Sequence, residues 1–171
     1  MPESVESNLP VEAPALPRLE TVARRWWATL EERRGDRAEL RRCRTPEAVA
    51  FLPSYHRLLS ELRKAGLNVP SERLAVIAGV LSHVETDDRS NSFAENMAAQ
   101  QNGKARVSGL RFRRLLAIDD LPELYTALVR MIHLLGATAS VRDLVQAVLW
   151  WNDWTKKRWA FDYYAIAPNE D

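Results

Sequence analysis

Side chains that could carry out chemistry are present in this sequence, but none stands at the spacing of a catalytic or metal site. Three adjacent acid pairs could bind metal ions in a nuclease: Glu31-Glu32, Asp87-Asp88 and Asp119-Asp120. Neighbouring residues on a helix diverge by about 100°, so the two carboxylates of a pair do not converge on one ion. Helix caps and solvated surfaces are the more common roles of such acids.

The other potential nucleophiles and ligands are dispersed. His56, His83 and His133 form no His-x-x-x-His pair, and Cys43 is the only cysteine, which argues against zinc and excludes an intrachain disulfide. Gly103-Lys104 lacks the glycine spacing and the following Ser or Thr of a phosphate-binding loop. Because no acid, base and nucleophile stand out as a set, the sequence predicts a protein without catalysis, metal, cofactor or small-molecule substrate.

Basic residues, in contrast, are concentrated in short stretches of a chain whose net charge is only +1. Residues 18–44 contain nine arginines and five acids, and residues 104–114 contain five bases and no acid. Such a density of like charge is unfavourable without a counterion, so it indicates a polyanionic partner such as nucleic acid. An acidic protein surface would satisfy the same charges, which leaves a helical protein-binding adaptor as the alternative.

The first basic stretch predicts a row of guanidinium groups along one side of a helix. Its members stand three or four residues apart, which brings them to the same side. They are Arg37, Arg41 and Arg44, with Arg42 beside them. In this interpretation Gly35 ends the preceding helix, and Asp36 caps the next one with Glu39 as its reciprocal partner. A solvated surface neutralised by nearby glutamates would explain the row equally well.

The second basic stretch, NGKARVSGLRFRRLL, predicts a short amphipathic helix at its end. Phe112 and Leu115 share a side that can pack inward, whereas Arg111 and Arg114 share another and Arg113 lies next to them. Arginine suits phosphate because its planar group donates two parallel hydrogen bonds. We therefore expect these three arginines to contact a nucleic-acid backbone.

A third segment, VLWWNDWTKKRWAFDYY (residues 148–164), holds seven of the fourteen aromatic residues of the chain. A continuous helix over residues 141–164 would place Trp151 and Trp159 on a core side. The nearly opposite side would consist of Trp150, Trp154 and Phe161. That second side is either buried as well or in contact with a partner, and the sequence leaves both open.

The three bases of this segment point in different directions on such a helix. Lys156, Lys157 and Arg158 would stand at about 60°, 160° and 260° around the axis. They cannot all face one phosphate track. Lys157 is the one expected to lie beside Trp150 and Trp154.

The elements that must position these residues are predicted to be helices throughout. Apolar residues recur at three- and four-residue spacing from Leu19 onwards, and no convincing strand alternation occurs. We predict an all-α fold in which two small helical subdomains form one elongated protein. The predicted segments are a disordered acidic tail over 1–17, an N-terminal subdomain over 18–85, a connecting segment over 86–103 and a C-terminal subdomain over 104–167.

The order and spacing of three motifs resemble the CasB family, the small subunit of the type I-E CRISPR surveillance complex called Cascade. The motifs are WWATLEERRGDRAELRRC, RFRRLL and LVRMIHLLG…LVQAVLWWNDW, and the resemblance extends over roughly residues 22–165. It implies a non-catalytic, all-helical cytoplasmic subunit that assembles with the other Cascade subunits and a second copy of itself. Guide RNA and target DNA would be its nucleic-acid partners, through the RNA–DNA hybrid and the displaced strand of the R-loop.

The resemblance also assigns basic residues to this contact. The matching positions are Arg41, Arg42, Arg111, Arg130, Lys156, Lys157 and Arg158. Relatives carry further bases where this chain has Ala117 and Asp120. The basic track is therefore expected to be partly redistributed, with Arg113 and Arg114 as its replacements. No apolar run reaches the length of a membrane span, and no secretory signal pattern is present, which agrees with a cytoplasmic protein.

Overall fold

Ten α-helices make up most of residues 15–169, the part of the chain that the computed structural model describes. They confirm the predicted all-α fold class. The helices are α1 (Leu16–Thr29), α2 (Arg34–Arg42), α3 (Pro46–Val49), α4 (Pro53–Lys64), α5 (Ser71–Leu81), α6 (Phe93–Ala98), α7 (Gly109–Leu116), α8 (Leu121–Leu134), α9 (Val141–Leu149) and α10 (Asp153–Ile166). No helix within residues 15–169 is long and apolar enough to cross a membrane.

Four two-residue strands connect the helices. β1 (Thr86–Asp87) pairs in parallel with β4 (Thr138–Ala139), and β2 (Gln100–Gln101) pairs in antiparallel with β3 (Lys104–Ala105). The β2–β3 turn consists of Asn102-Gly103, both with positive φ, which is the conformation that an Asn-Gly hairpin turn requires.

Several helix starts follow from local capping. The side chains of Thr45, Asp120 and Ser140 accept hydrogen bonds from the backbone N–H three residues ahead, at the starts of α3, α8 and α9. Pro53 begins α4, where its missing N–H does no harm. Helix α6 begins with a reciprocal capping box between Ser92 and Glu95.

Two predicted boundaries near the N-terminus are wrong. Helix α1 ends at Thr29 and α2 begins at Arg34, so Gly35 and Asp36 lie in the first turn of α2 and cap nothing. Asp36 instead accepts a hydrogen bond from Arg57 of α4 over 2.9 Å, an ion pair that fixes α2 against α4. As a result Arg34 belongs to the same helix as Arg37 and Arg41.

The predicted tail over residues 1–17 is also partly wrong, because α1 already includes Leu16 and Pro17. Pro17 is tolerated in the first turn of a helix. Leu16 is buried against the core. The remainder of the predicted tail, residues 1–14, lies outside the described residues.

The predicted continuous helix over 141–164 is wrong as well. The chain leaves the helical conformation between Leu149 and Asp153, and the side chain of Asn152 restarts it by accepting from the Thr155 N–H over 3.2 Å. The indole of Trp151 uses this break to donate to the Ile118 carbonyl over 2.7 Å. Angles reckoned around a single helix axis therefore do not apply across residues 150–152.

One continuous apolar cluster runs through both halves of the chain. Helix α5 lies at its centre, buried from Leu74 to Leu81, and packs against α3, α8 and α9, while α1 packs against α9 and α6 against α10. Helix α6 belongs to the predicted connecting segment over 86–103, yet it forms part of this core. The division into subdomains stays a prediction.

Candidate nucleic-acid interface

A basic groove lies between α7 and α8 and combines three arginines from the two helices. Arg111 and Arg114 of α7 and Arg130 of α8 line this groove, whose volume is about 760 Å³. Its apolar lining consists of Leu115, Ile118, Ala127, Met131 and Leu134. Glu123 is the single acid among the lining residues. We call this site the α7–α8 groove.

Local sequence explains why the arginines of α7 point into the groove. Ser108 starts α7 by accepting from the Arg111 N–H over 3.3 Å. Phe112 and Leu115 are buried, with Phe112 stacked on Tyr163 of α10 at a ring distance of 4.0 Å. Because this side is anchored in the core, the opposite side of α7 carries its arginines outward.

The electrostatics of the α7–α8 groove favour an anionic ligand. Arg111, Arg114 and Arg130 are exposed, and none forms an ion pair with another of residues 15–169. Three guanidinium groups against the carboxylate of Glu123 leave a net positive charge. Nearby like charges of this kind are stabilised by phosphates, to which each guanidinium can donate two hydrogen bonds. Arg113 is exposed as well but does not line the groove.

The predicted row on α2 has a different environment. The Nε atom of Arg41 donates to the Ser82 carbonyl over 2.7 Å and a terminal nitrogen of Arg37 donates to the Val84 carbonyl over 3.4 Å. Arg41 also pairs with Glu85 at 3.3 Å. These acceptors lie just beyond the C-terminus of α5, where cations offset the partial negative charge of a helix. Burial, and then the nearby charge of Arg41, lowers the pKa of Arg37.

Arg42 and Arg44, the other members of the predicted row, face solvent. Arg42 is exposed and lines a shallow groove on α2 with Arg34, Arg37 and Arg41, whereas Arg44 is exposed beyond Arg42, the last residue of the helix. The row of three predicted from spacing is therefore interrupted, because the chain turns to extended conformation before Arg44. The exposed guanidinium groups of α2 are those of Arg34 and Arg42.

The three bases of α10 separate as well. Lys156 donates to Asp119 over 2.6 Å and lies 5.5 Å from the ring centroid of Trp151. Arg158 donates over 2.6 Å to the buried carboxylate of Asp143. Lys157 is exposed and forms no ion pair within residues 15–169.

Asp143 explains why Arg158 is needed inside the protein. Its carboxylate also accepts from the Phe93 N–H over 2.8 Å, and the side chain is buried. A buried carboxylate is costly unless it is paired and hydrogen-bonded. Arg158 and the N-terminus of α6 supply that compensation and connect α6, α9 and α10.

The acid pair Asp87-Asp88, considered above as a metal site, has structural partners. Asp87 pairs with Arg24 at 3.1 Å and accepts from the Val141 N–H. Asp88 accepts from the backbone of Ser90 and from two asparagine side chains, which lowers its pKa against the opposing effect of burial. Within residues 15–169 no group of three or more His, Cys, Asp or Glu residues is placed to hold a metal ion.

Sequence reasoning missed some members of this surface. The expectation that Gly35 ends the preceding helix excludes Arg34 from the row on α2, and the sequence does not indicate the apolar lining of the α7–α8 groove. Arg130 is predicted by the resemblance alone, and it lines the same groove as Arg111. A signal was available for Arg34, since residues 34–42 contain no proline that would end a helix.

Fold and groove together define a helical protein with a basic surface groove suited to a polyanion. The chain belongs to the family described as CRISPR-associated protein Cse2, whose model matches residues 36–164. This confirms the resemblance to the CasB family. No curated protein sequence matches the chain.

A solved structure shares the fold. One chain of the crystal structure of Escherichia coli Cascade bound to a PAM-containing double-stranded DNA target superimposes with a TM-score of 0.64 at 20% sequence identity. The match covers 91% of this chain and 96% of that chain. The similarity therefore extends through both halves of the molecule.

Proposed function

We propose that this protein is a non-catalytic subunit of a CRISPR RNA-guided DNA surveillance complex and binds nucleic-acid backbone through the α7–α8 groove. The observation that carries the proposal is the convergence of Arg111, Arg114 and Arg130, from two helices, without carboxylate partners among residues 15–169. Membership of the Cse2 family and the fold shared with a chain of DNA-bound Cascade support the setting.

The groove would act on charge and shape rather than on sequence. In RNA-guided complexes, base pairing with the guide supplies the sequence discrimination. Exchanging a DNA duplex for an RNA–DNA hybrid is nearly balanced in free energy, so modest phosphate contacts along the hybrid or the displaced strand can shift it. Arg42 and Lys157, exposed on other helices, are further candidates for such contacts.

Other basic residues are proposed to act within the protein. Arg37 and Arg41 compensate the C-terminal end of α5, and Arg158 compensates Asp143. Lys156 is tied to Asp119. We infer that these four contribute to DNA binding mainly by holding the fold, whereas the arginines of the α7–α8 groove contact phosphate directly.

The test is a salt titration of DNA binding by the Arg111→Ala, Arg114→Ala, Arg130→Ala variant. Loss of three phosphate contacts should weaken binding and reduce the slope of log K against log salt by about two to three. Arg25→Ala, Arg63→Ala, Lys64→Ala removes equal charge from exposed positions on α1 and α4 and is the matched control. An unchanged slope in the groove variant would contradict the assignment of the groove.

The same measurement separates the proposal from a protein-binding adaptor. An adaptor should retard neither single-stranded DNA nor RNA in a gel shift, at any salt concentration. We further propose that the protein works in the cytoplasm beside a second copy of itself and the other Cascade subunits. Native mass spectrometry of the complex reconstituted around guide RNA would count the copies.

A further inference from the structure

Helix α10 carries a stripe of aromatic rings on the side opposite its packed side. Trp154 and Phe161 are exposed by 57% and 80%, and Tyr164 is exposed by 53%. Lys157 stands between the first two rings. The spacing of three, four and three residues keeps all four side chains on one side of the helix over about 15 Å. We call this surface the α10 stripe.

The stripe is a second surface in addition to the packed side of α10. Thr155, Trp159 and Tyr163 are buried, and their side of the helix packs against α6 and the core. Trp154 and Phe161 remain exposed on the other side, and Tyr164 is about half exposed although its ring contacts those of Phe112 and Tyr163 edge-on. Exposed patches of this kind mark interaction sites in soluble proteins.

The first ring of the stripe is held in place from within the protein. The guanidinium of Arg158 lies 5.7 Å from the centroid of the Trp154 ring. Arg158 is itself fixed by its 2.6 Å hydrogen bond to buried Asp143. Cation–π contact therefore restrains one side of the indole, while more than half of the side chain stays accessible.

Cations are interleaved with the rings, which distinguishes the stripe from a protein-docking surface. Lys157 is at its middle, and Lys104 of β3 lines a groove together with Tyr164 at its end. Neither lysine forms an ion pair with another of residues 15–169. The cores of protein–protein interfaces are depleted in lysine, whereas single-strand binding sites combine cations with aromatic stacking surfaces.

We propose that the α10 stripe binds unpaired nucleotides, with bases stacked on Trp154 and Phe161 and phosphates beside Lys157 and Lys104. The inference rests on the proposed nucleic-acid-binding function but concerns a different surface and a different interaction. The α7–α8 groove binds phosphates through their charge, in single strands or in duplexes. The stripe requires unstacked bases, so it selects single strands without reading their sequence.

The test compares full-length variants by fluorescence anisotropy with a labelled oligo-dT strand and with a duplex of equal length. Trp154→Ala, Phe161→Ala should weaken single-strand binding about tenfold or more, because stacking of each base contributes substantially. The salt slope and the duplex affinity should stay unchanged, since the rings carry no charge. Phe51→Ala removes an equally exposed ring, 85% accessible, from the α3–α4 connection and is the matched control.

A conservative variant gives an independent readout. Trp154→Phe keeps a ring, so it should retain single-strand affinity while losing the part of the tryptophan fluorescence quenching that comes from stacking on Trp154. Circular dichroism and thermal unfolding check that each variant is folded. Both rings lie outside the core, so folding should be unaffected.

The outcomes separate this proposal from the proposed function. If the wild-type protein binds and the double variant has the same affinity for single strands, the proposal for the α10 stripe is wrong. The proposal for the α7–α8 groove is then unaffected. Wild-type binding to neither oligonucleotide would overturn both. Unchanged single-strand affinity combined with loss of the double variant from the reconstituted complex would identify the stripe as a protein-docking surface and also overturn the proposal.

Discussion

His83 couples the pH of the solution to the stability of the fold. The ring is buried just after α5, and its Nδ1 atom lies 3.1 Å from Nε2 of His133 on α8. Burial, followed by the proximity of His133 and Arg41, lowers the pKa of His83 from 6.5 to about 4. The folded protein therefore keeps His83 neutral over a range in which the unfolded chain protonates it.

This difference predicts a loss of stability on acidification. Between the unfolded pKa of 6.5 and the folded pKa of about 4, the unfolded state binds more protons at His83, so the free energy of unfolding falls as pH falls. The full effect is about 3 kcal/mol. His83→Gln should flatten this dependence in urea denaturation measured over that window. His56→Gln removes an exposed histidine as the control, and equal slopes in all three proteins would contradict the assignment.

Individual arginines show which side-chain roles can be predicted from the sequence and which cannot. Arg111 and Arg114 could be predicted to face outward, because Phe112 marks the buried side of the same short helix. Arg41 could not be assigned in the same way. Its hydrogen-bond acceptor, the Ser82 carbonyl, is 41 residues away and becomes available only where α5 ends beside α2. Charge density in sequence does not distinguish a cation that binds a ligand from one that satisfies a helix terminus.

At the scale of elements, α5 and α8 approach each other through a glycine. A Cβ atom at Gly79 would lie 2.4 Å from Cε2 of Tyr125 and 2.9 Å from its hydroxyl oxygen. That hydroxyl donates to the Cys43 carbonyl over 2.8 Å, so the ring cannot move without losing the bond. Tyr125 thereby connects α8 to the end of α2, and burial raises its pKa to about 12.

Gly79→Ala should therefore destabilise the protein in spite of the better helix propensity of alanine. Overpacking a core contact costs about 1–3 kcal/mol, and loss of the Tyr125 hydrogen bond adds to it. Gly35→Ala is the matched control, because it is also helical but has no atom within 4 Å of the added Cβ. Its stability should be unchanged or raised by up to about 1 kcal/mol. Thermal unfolding of both variants measures the difference, and equal midpoints would contradict the close approach.

The same scale shows which helices could be predicted from the sequence. The starts of α8 and α9 could be predicted because their caps, Asp120 and Ser140, are local signals. The sequence does not predict the break between α9 and α10, because Asn152 is a single polar residue within an apolar helical pattern. It becomes a cap once Trp151 is held by the Ile118 carbonyl, 33 residues away in sequence.

At the scale of the whole molecule, the core links the two halves more closely than composition suggests. Helix α1 packs against α9, α5 packs against α8 and α9, and α6 packs against α10. The polar character of residues 86–103 predicted a connecting segment, but Phe93 and Met97 within it are fully buried. A chain segment of mainly polar sequence can still contribute buried side chains to a common core.

This continuity predicts that residues 15–169 unfold as one cooperative unit. A domain of this size with a single core normally shows one two-state transition. Urea unfolding followed by far-UV circular dichroism and by tryptophan fluorescence should give coincident curves. Native-state hydrogen exchange should give similar opening free energies for the most protected amides of α5 and α10. Two separate transitions, with the boundary of protection falling between residues 86 and 103, would contradict the single unit and establish the two subdomains predicted from the sequence.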